Sequence, residues 1–227
     1  MIGIIIQLAL SWLIIWLFQK GNLSFLGLTP VAGRALDFFL FFLLTAACCA
    51  TGFLLRMYFG KEVWGINPAL NSRLIFEGLW WNMKSVLFEE LIFRGVLFYI
   101  IWKKWGAAKA IIISAIAFGM YHWFSHEVIG DARQMAIEFF LSGVMGLLYA
   151  YAYVKTNSII TPVAIHFGWN LTQGFIFSSG ATGKGVFVLL NQPVVSVSLF
   201  IYLLVVFLPM LSALVANFLV LRKRKFV

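Results

Sequence analysis

Long apolar runs separated by short polar segments are the main pattern along this chain. Seven of them approach the length of about 20 residues that an α-helix needs to cross the hydrocarbon core of a bilayer. They are residues 1–18, 35–59, 74–102, 107–124, 134–154, 158–177 and 194–221. The pattern predicts an all-α fold, a polytopic transmembrane helical bundle of seven spans.

The third run and the first run differ from an ordinary span, the third in its length and the first in its position at the amino end. Residues 74–102 would extend about 44 Å as one helix, and Glu77 and Lys84 lie in their first half. We therefore expect an interfacial or strongly tilted start, with a hairpin and an eighth passage as the alternative. The first run has no basic residue before it, so we expect an uncleaved span rather than a signal peptide.

Composition and charge support a membrane protein and narrow its class. Hydrophobic residues make up 63% of the 227 residues and charged residues 11%, whereas soluble domains carry about 25% charged residues. No basic face is interleaved with aromatic residues, so we expect no nucleic-acid partner. No repeat or linker divides the chain. We expect one integral membrane domain over residues 1–227, with the lipid bilayer as its surroundings.

The positions of Lys and Arg predict how the chain is oriented. Ten of the 17 fall in loops that alternation places on the side of the basic tail Arg222–Lys225, and five fall in the opposite loops. Cytoplasmic loops of membrane proteins are enriched in these residues. Seven spans then place the carboxyl end in the cytoplasm and the amino end outside.

An acidic pair followed by an arginine interrupts the third apolar run. Each ionisable side chain at membrane depth costs about 2.5 to 3.5 kcal/mol or more, so such residues pair, line a cavity or take part in chemistry. Glu90 and Arg94 are four residues apart and share one helix face, which predicts a structural ion pair. Glu89 points about 100° away from that face and is the candidate for chemistry.

Two more polar motifs lie in separate apolar runs: Phe118 with His122, and His166 with Asn170. Counted from the nearest predicted cytoplasmic lysine, Glu89 is 14 residues away, His122 is 13 and His166 is 11. At the rise of an α-helix these intervals correspond to depths of about 21, 20 and 16 Å. The similar depths predict one shared cavity near the middle of the bilayer.

These motifs, in this order and spacing, resemble those of the CAAX-protease and bacteriocin-processing (ABI) family of intramembrane proteases, which includes the Ras-converting prenyl endoproteases. The resemblance covers about residues 75–180, and Asn170 stands where the family has Asn or Asp. It implies hydrolysis of a peptide or a lipid-modified protein tail. We expect an integral protein of a bacterial plasma membrane.

The residue types fit that reaction. Glu89 can serve as general base toward a water that His122 helps to hold. The imidazole of His166 and the amide of Asn170 can donate hydrogen bonds to the oxyanion of the tetrahedral intermediate. Phe93 and Phe118 are expected to pack around the site, and Gly95, Gly119 and Gly168 to allow helices to approach closely. His126 is expected to be a solvated loop residue.

Two alternatives remain open from the residues. The first is a zinc site formed by Glu89, His122 and His166, a plausible ligand set. The chain lacks the His-Glu-x-x-His helix of zincins, so we favour chemistry without a cofactor. The second is a non-catalytic role, as a scaffold, a bacteriocin-immunity or maturation protein, or a transporter that relays protons.

The shared cavity can be tested directly. Cysteine pairs placed beside Glu89, His122 and His166, in a chain with Cys48 and Cys49 replaced, should be joined by short crosslinking reagents, because the three positions are predicted at similar depth. Gel mobility after crosslinking measures the result. Failure of all three pairs would remove the common cavity.

Overall fold

A computed structural model describes residues 2–29, 32–178 and 184–224. Within these residues it contains eight α-helices and three short strands. The helices are α1 (Ile2–Gln19), α2 (Ala32–Phe59), α3 (Ser72–Phe93), α4 (Val96–Trp105), α5 (Ala107–Ser125), α6 (Ala132–Thr156), α7 (Ile160–Leu171) and α8 (Leu199–Arg222). Met1 of the first predicted span and Lys225 of the basic tail lie outside the described residues.

Five of the described helices are long and apolar enough to cross a membrane: α1, α2, α5, α6 and α8. They agree with five of the seven predicted spans to within a few residues at each end. The polytopic helical fold is therefore confirmed. The two remaining runs, 74–102 and 158–177, form shorter helices, so the described residues hold five long candidate spans and the exact number of passages stays a prediction.

The third predicted run is two helices instead of one. The chain leaves helical geometry at Arg94 and Gly95, between α3 and α4. A Cβ atom on Gly95 would overlap the carbonyl oxygen of Leu91, so a glycine is needed at this break. The hydroxyl of Ser114 donates to the carbonyl oxygen of Phe93 at 2.9 Å, which supplies a partner where the helix ends.

The sixth predicted run is a short helix with an irregular end. Helix α7 has 12 residues and passes into a π-helical turn, Thr172–Ile176. The hydroxyl of Thr172 donates to the carbonyl oxygen of Gly168 at 2.7 Å. Such a contact from a side chain back to the preceding turn often bends a helix.

The structure also contains a small three-stranded sheet, which the all-α prediction did not include. Its strands are β1 (Val63–Ile66), β2 (Phe177–Ser178) and β3 (Phe187–Asn191), in the order β1-β3-β2, with β1 antiparallel and β2 parallel to β3. The ring of Phe177 stacks on Phe53 of α2 at 4.4 Å between centroids. Strands of two to five residues are too short to show a clear alternation in sequence.

The chain divides into two compact units, each built from separate stretches. The first unit comprises Met1–Asp37, Leu87–Val163 and Val220–Val227, and the second comprises Phe38–Val86 and Ala164–Leu219. Helices α2, α3, α7 and α8 contribute residues to both units. The prediction of one membrane domain over residues 1–227 stays a prediction, as does the orientation of the chain in the bilayer.

Within the first unit, a 3₁₀ turn at Leu23–Leu26 holds the connection between α6 and α7. Carbonyl groups of the turn accept hydrogen bonds from the hydroxyl of Tyr153 and the backbone of Ile159, and that of the next residue, Gly27, accepts from the hydroxyl of Ser158. Gly27 ends the turn with φ of 62°. A Cβ atom there would overlap the backbone of Asn157 and Ser158, so this position requires glycine.

We expect Gly27→Ala to lower the thermal stability of the purified protein. The left-handed conformation alone costs a residue other than glycine about 1 to 2 kcal/mol, and the overlap with Ser158 adds to that cost. Gly33→Ala in α2 is the matched control, because a Cβ atom at Gly33 would meet no atom within 4 Å. Equal melting temperatures for the two variants would contradict this account.

Candidate active site

The predicted pair of Glu90 and Arg94 is present in the first unit and is entirely buried. Arg94 Nη2 donates to Glu90 Oε1 at 2.7 Å, and Arg94 Nε lies 2.7 Å from Glu90 Oε2. Both side chains are 0% exposed. The first contact is a hydrogen bond to a charged group, and the second is a close ion-pair contact. The pair neutralises both charges where no water surrounds them.

Three aromatic rings surround the same guanidinium. Arg94 Cζ lies 4.6 Å from the ring centre of Phe118, 5.0 Å from that of Tyr149 and 5.8 Å from that of Phe93. A cation near the faces of aromatic rings is attracted by their electron density. Phe93 also packs edge-on against Phe118, with ring centres 5.1 Å apart. The two phenylalanines thus have the packing positions expected of them.

Glu89 lies in the last turn of α3 and is partly buried. It directly precedes Glu90, so its side chain points about 100° around the helix from the buried pair. The rotation of this turn is set by Glu90 and Arg94, whose side chains are fixed among the rings. The buried pair therefore determines where the Glu89 carboxylate is directed.

His122 belongs to the same unit, one turn before the end of α5. Its Nδ1 lies 2.8 Å from the carbonyl oxygen of Phe118. A carbonyl oxygen can only accept a hydrogen bond, so Nδ1 carries the proton and Nε2 of the neutral ring is an acceptor. The imidazole also packs edge-on against Phe118, 4.6 Å between ring centres. Phe118 thus contacts both Arg94 and His122.

His166 and Asn170 contact each other in the second unit, one turn apart on α7. Asn170 Nδ2 lies 3.1 Å from His166 Nε2. Since the amide nitrogen donates, Nε2 accepts and the proton of the neutral imidazole is on Nδ1. His166 is buried, with 3% exposure, and Asn170 is partly buried.

Close packing against α2 fixes the rotation of α7 within the second unit. A Cβ atom on Gly168 would lie 2.5 Å from the carbonyl oxygen of Phe42. Phe167 stacks on Phe42 with ring centres 5.4 Å apart. The thiol of Cys49 lies 3.8 Å from the carbonyl oxygen of Trp169. The predicted close approach at Gly168 is confirmed, and the same is found at Gly119, where a Cβ atom would lie 2.7 Å from the carbonyl oxygen of Phe139.

The structure groups the predicted residues in two sets. Glu89, Glu90, Arg94, Phe93, Phe118 and His122 lie in the first unit, and His166 and Asn170 lie in the second. The shared cavity stays a prediction. Among the described residues of either unit, no three His, Cys, Asp or Glu side chains form a cluster that could hold a metal ion. Zinc therefore also stays an alternative from the sequence.

Two of the predicted depths need correction. The depth of Glu89 assumed a continuous helix to the cytoplasmic lysines, and the break after α3 interrupts it. His166 lies six residues after the start of α7, or about 9 Å along that helix instead of 16 Å. The interval from Lys109 to His122 lies within one continuous helix, α5, so the depth of about 20 Å for His122 stays a prediction.

Three contacts in the first unit were missed from the sequence. Tyr149 and Ser114 have no motif around them, and they join the others through packing of α5 and α6. His126 is half exposed, as a solvated residue would be, but it also pairs with Glu138 and contacts His122. Its spacing of four residues from His122 was the one signal available.

The helices and their buried polar groups define a multi-pass helical membrane protein. Residues 71–172 match the model of a family described as type II CAAX prenyl endopeptidase, Rce1-like. The chain is also 26% identical over 162 residues to human CAAX prenyl protease 2, covering 60% of this chain and 48% of that protein. It thus spans about half the length of this relative. No solved structure matches the chain. The resemblance predicted from the motifs is confirmed over the segment that carries all of them.

We expect Glu90→Gln to lower the thermal stability of the protein substantially. Removing one partner of a buried ion pair costs about 3 to 5 kcal/mol, because the remaining charge is uncompensated. Replacing both residues, Glu90→Leu with Arg94→Met, should recover part of the loss. Thermal unfolding in detergent measures both effects.

The matched control is Glu77→Gln in the same helix. Glu77 forms an i,i+4 pair with Arg73, but its side chain is 56% exposed and that of Arg73 is 86% exposed. Exposed pairs contribute little, so the melting temperature should hardly change. Failure of the double variant to regain stability would show that the pair does more than neutralise charge.

Proposed function

We propose that this protein is an intramembrane endopeptidase that cleaves a peptide bond in a peptide or a lipid-modified protein tail. The observation that carries the proposal is the buried Glu90–Arg94 pair, which directs Glu89 away from it and packs through Phe118 against His122. The printed name of the human relative, a prenyl protease, supports the substrate class.

Glu89 is the proposed general base. Its carboxylate takes a proton from a water molecule while the water oxygen attacks the carbonyl carbon of the scissile peptide bond. The same proton then passes to the amide nitrogen, the C–N bond breaks, and an amine and a carboxylic acid leave. The acceptor Nε2 of His122 is suited to hold the second hydrogen of the water.

His166 and Asn170 are the proposed donors to the oxyanion. The sequence motifs and their order support their acting together with Glu89 and His122. The groups that would donate are an imidazole N–H of His166 and an amide N–H of Asn170, which lie side by side on α7. One oxyanion donor is commonly worth about 2.7 to 4 kcal/mol in the transition state.

A zinc mechanism with Glu89, His122 and His166 as ligands is the alternative chemistry. Zinc bound there would make its water more acidic. The Nε2 of His122 could bind a metal ion as readily as a water hydrogen. Two of the three ligands fall in the first unit and one in the second. The zinc site therefore requires the predicted shared cavity, and the metal-free site requires it too.

We expect Glu89→Gln to abolish peptide hydrolysis while the protein still inserts and purifies normally, because the amide cannot take a proton from water. Purified wild type and variant are incubated with a peptide library, with and without a farnesylated cysteine, and products are identified by mass spectrometry. Turnover near the wild-type value in Glu89→Gln would exclude Glu89 as the base. A wild type that cleaves no substrate would favour the non-catalytic scaffold.

Metal analysis of the same samples separates the two chemistries. Without zinc, Asn170→Ala should lower kcat by about 100- to 1,000-fold with little change in KM, because the donor acts on charge that develops in the transition state. With zinc, Asn170→Ala should matter less. About one tightly bound zinc per chain, lost together with activity in His122→Ala and His166→Ala, would establish the metal mechanism.

A further inference from the structure

His126 and Glu138 form a polar pair in the first unit that the sequence motifs do not include. His126 Nδ1 lies 2.9 Å from Glu138 Oε2. The carboxylate accepts, so Nδ1 of His126 is the donor. The side chain of His126 is 50% exposed and that of Glu138 is 28% exposed. The pair joins the end of α5 to α6.

The ring of His126 also contacts the ring of His122. Their centres are 5.1 Å apart and their planes are at 87°, an edge-to-face contact. His122 is also held by the 2.8 Å contact of Nδ1 with the carbonyl oxygen of Phe118 and by the Phe118 ring. The contact with His126 adds a further constraint, on the side of the ring toward the helix end.

The hairpin between α5 and α6 holds the two members of the pair in place. The indole N–H of Trp123 donates to the carbonyl oxygen of Met135 at 2.7 Å, and the backbone of Val128 donates to that of Trp123. Asp131 caps α6 by accepting from the backbone of Gln134, and these contacts lower the pKa of Asp131. The position of residue 126 relative to residue 138 is therefore set by several contacts.

A surface ion pair would by itself stabilise the protein little. The pair of His126 and Glu138 differs in that its imidazole contacts the proposed catalytic imidazole. We propose that His126 and Glu138 are positioning residues for His122: Glu138 fixes the ring of His126, and that ring fixes the direction of His122 Nε2. This inference rests on the proposed function of His122.

The first test observes the His122 ring without any substrate. The chain has three histidines, so the ring nitrogens in protein labelled with ¹⁵N-histidine give few signals. In the wild type, His122 should give one Nδ1-protonated form. In His126→Ala and Glu138→Ala its signals should broaden or move toward a mixture of tautomers. Glu138→Gln keeps an acceptor for His126 Nδ1 and should preserve the wild-type signals, whereas His126→Phe keeps a ring but loses the donor and should resemble Glu138→Ala.

The second test measures turnover in the same variants. Small misplacements of a catalytic group can cost about 100-fold in rate, so His126→Ala and Glu138→Ala should lower kcat by about 10- to 100-fold. KM and the melting temperature should stay near wild type. Glu138→Gln should recover most of the rate, and His126→Phe, which cannot donate to Glu138, should lose about as much as Glu138→Ala. Ser125→Ala, the exposed neighbour at the same helix end, is the matched control.

Unchanged His122 signals in both alanine variants would overturn the inference, and so would an equal loss of rate in Ser125→Ala. Failure of Glu138→Gln to restore the rate would do the same, and so would a wild-type rate in His126→Phe. If the wild type hydrolyses no peptide, the proposed function fails, and the ring signals alone decide whether His126 and Glu138 position His122.

Discussion

A charged guanidinium in an apolar interior has lost its hydration. It is stable there only when an anion and the faces of aromatic rings replace that water. The Glu90–Arg94 pair meets this requirement with one hydrogen bond, one further ion-pair contact and three aromatic rings. Because the rings come from α3, α5 and α6, the pair also fixes how these helices meet in the first unit. The directions of the Glu89 and His122 side chains follow from that arrangement. The Glu90–Arg94 pair has no direct part in the proposed reaction, but it positions the two groups that would perform the reaction.

The helix break beside this pair is a consequence of the same site. Arg94 turns its side chain toward Glu90 at the point where α3 ends, and Gly95 lets the backbone leave the helix without overlapping Leu91. Ser114 of α5 then satisfies the carbonyl group of Phe93. One apolar run in the sequence therefore becomes two helices. The break places the acidic motif at a helix end, where neighbouring elements can reach it.

The second motif set is organised by a different constraint. His166 and Asn170 contact each other because they are one helical turn apart, and α7 presents them in a fixed rotation because Gly168 allows the backbone of α2 to approach closely. The π-helical turn after α7 ends this helix soon after Asn170. Irregular helical turns of this kind are common at functional sites. The short length of α7 is thus part of how the motif is held.

The sequence by itself determined the features that depend on local spacing and on hydrophobicity. Five long helices, the i,i+4 pairing of Glu90 with Arg94 and the close approach at Gly168 all follow from helix geometry and the cost of burying charge. Tertiary structure decided the rest. The broken third run, the short α7, the small sheet and the contact of His126 with His122 depend on side chains far apart in the chain. Hydropathy indicates that a residue prefers an apolar environment. It does not indicate which group accepts a backbone hydrogen bond there or which ring contacts another, because those partners are determined by how the helices pack.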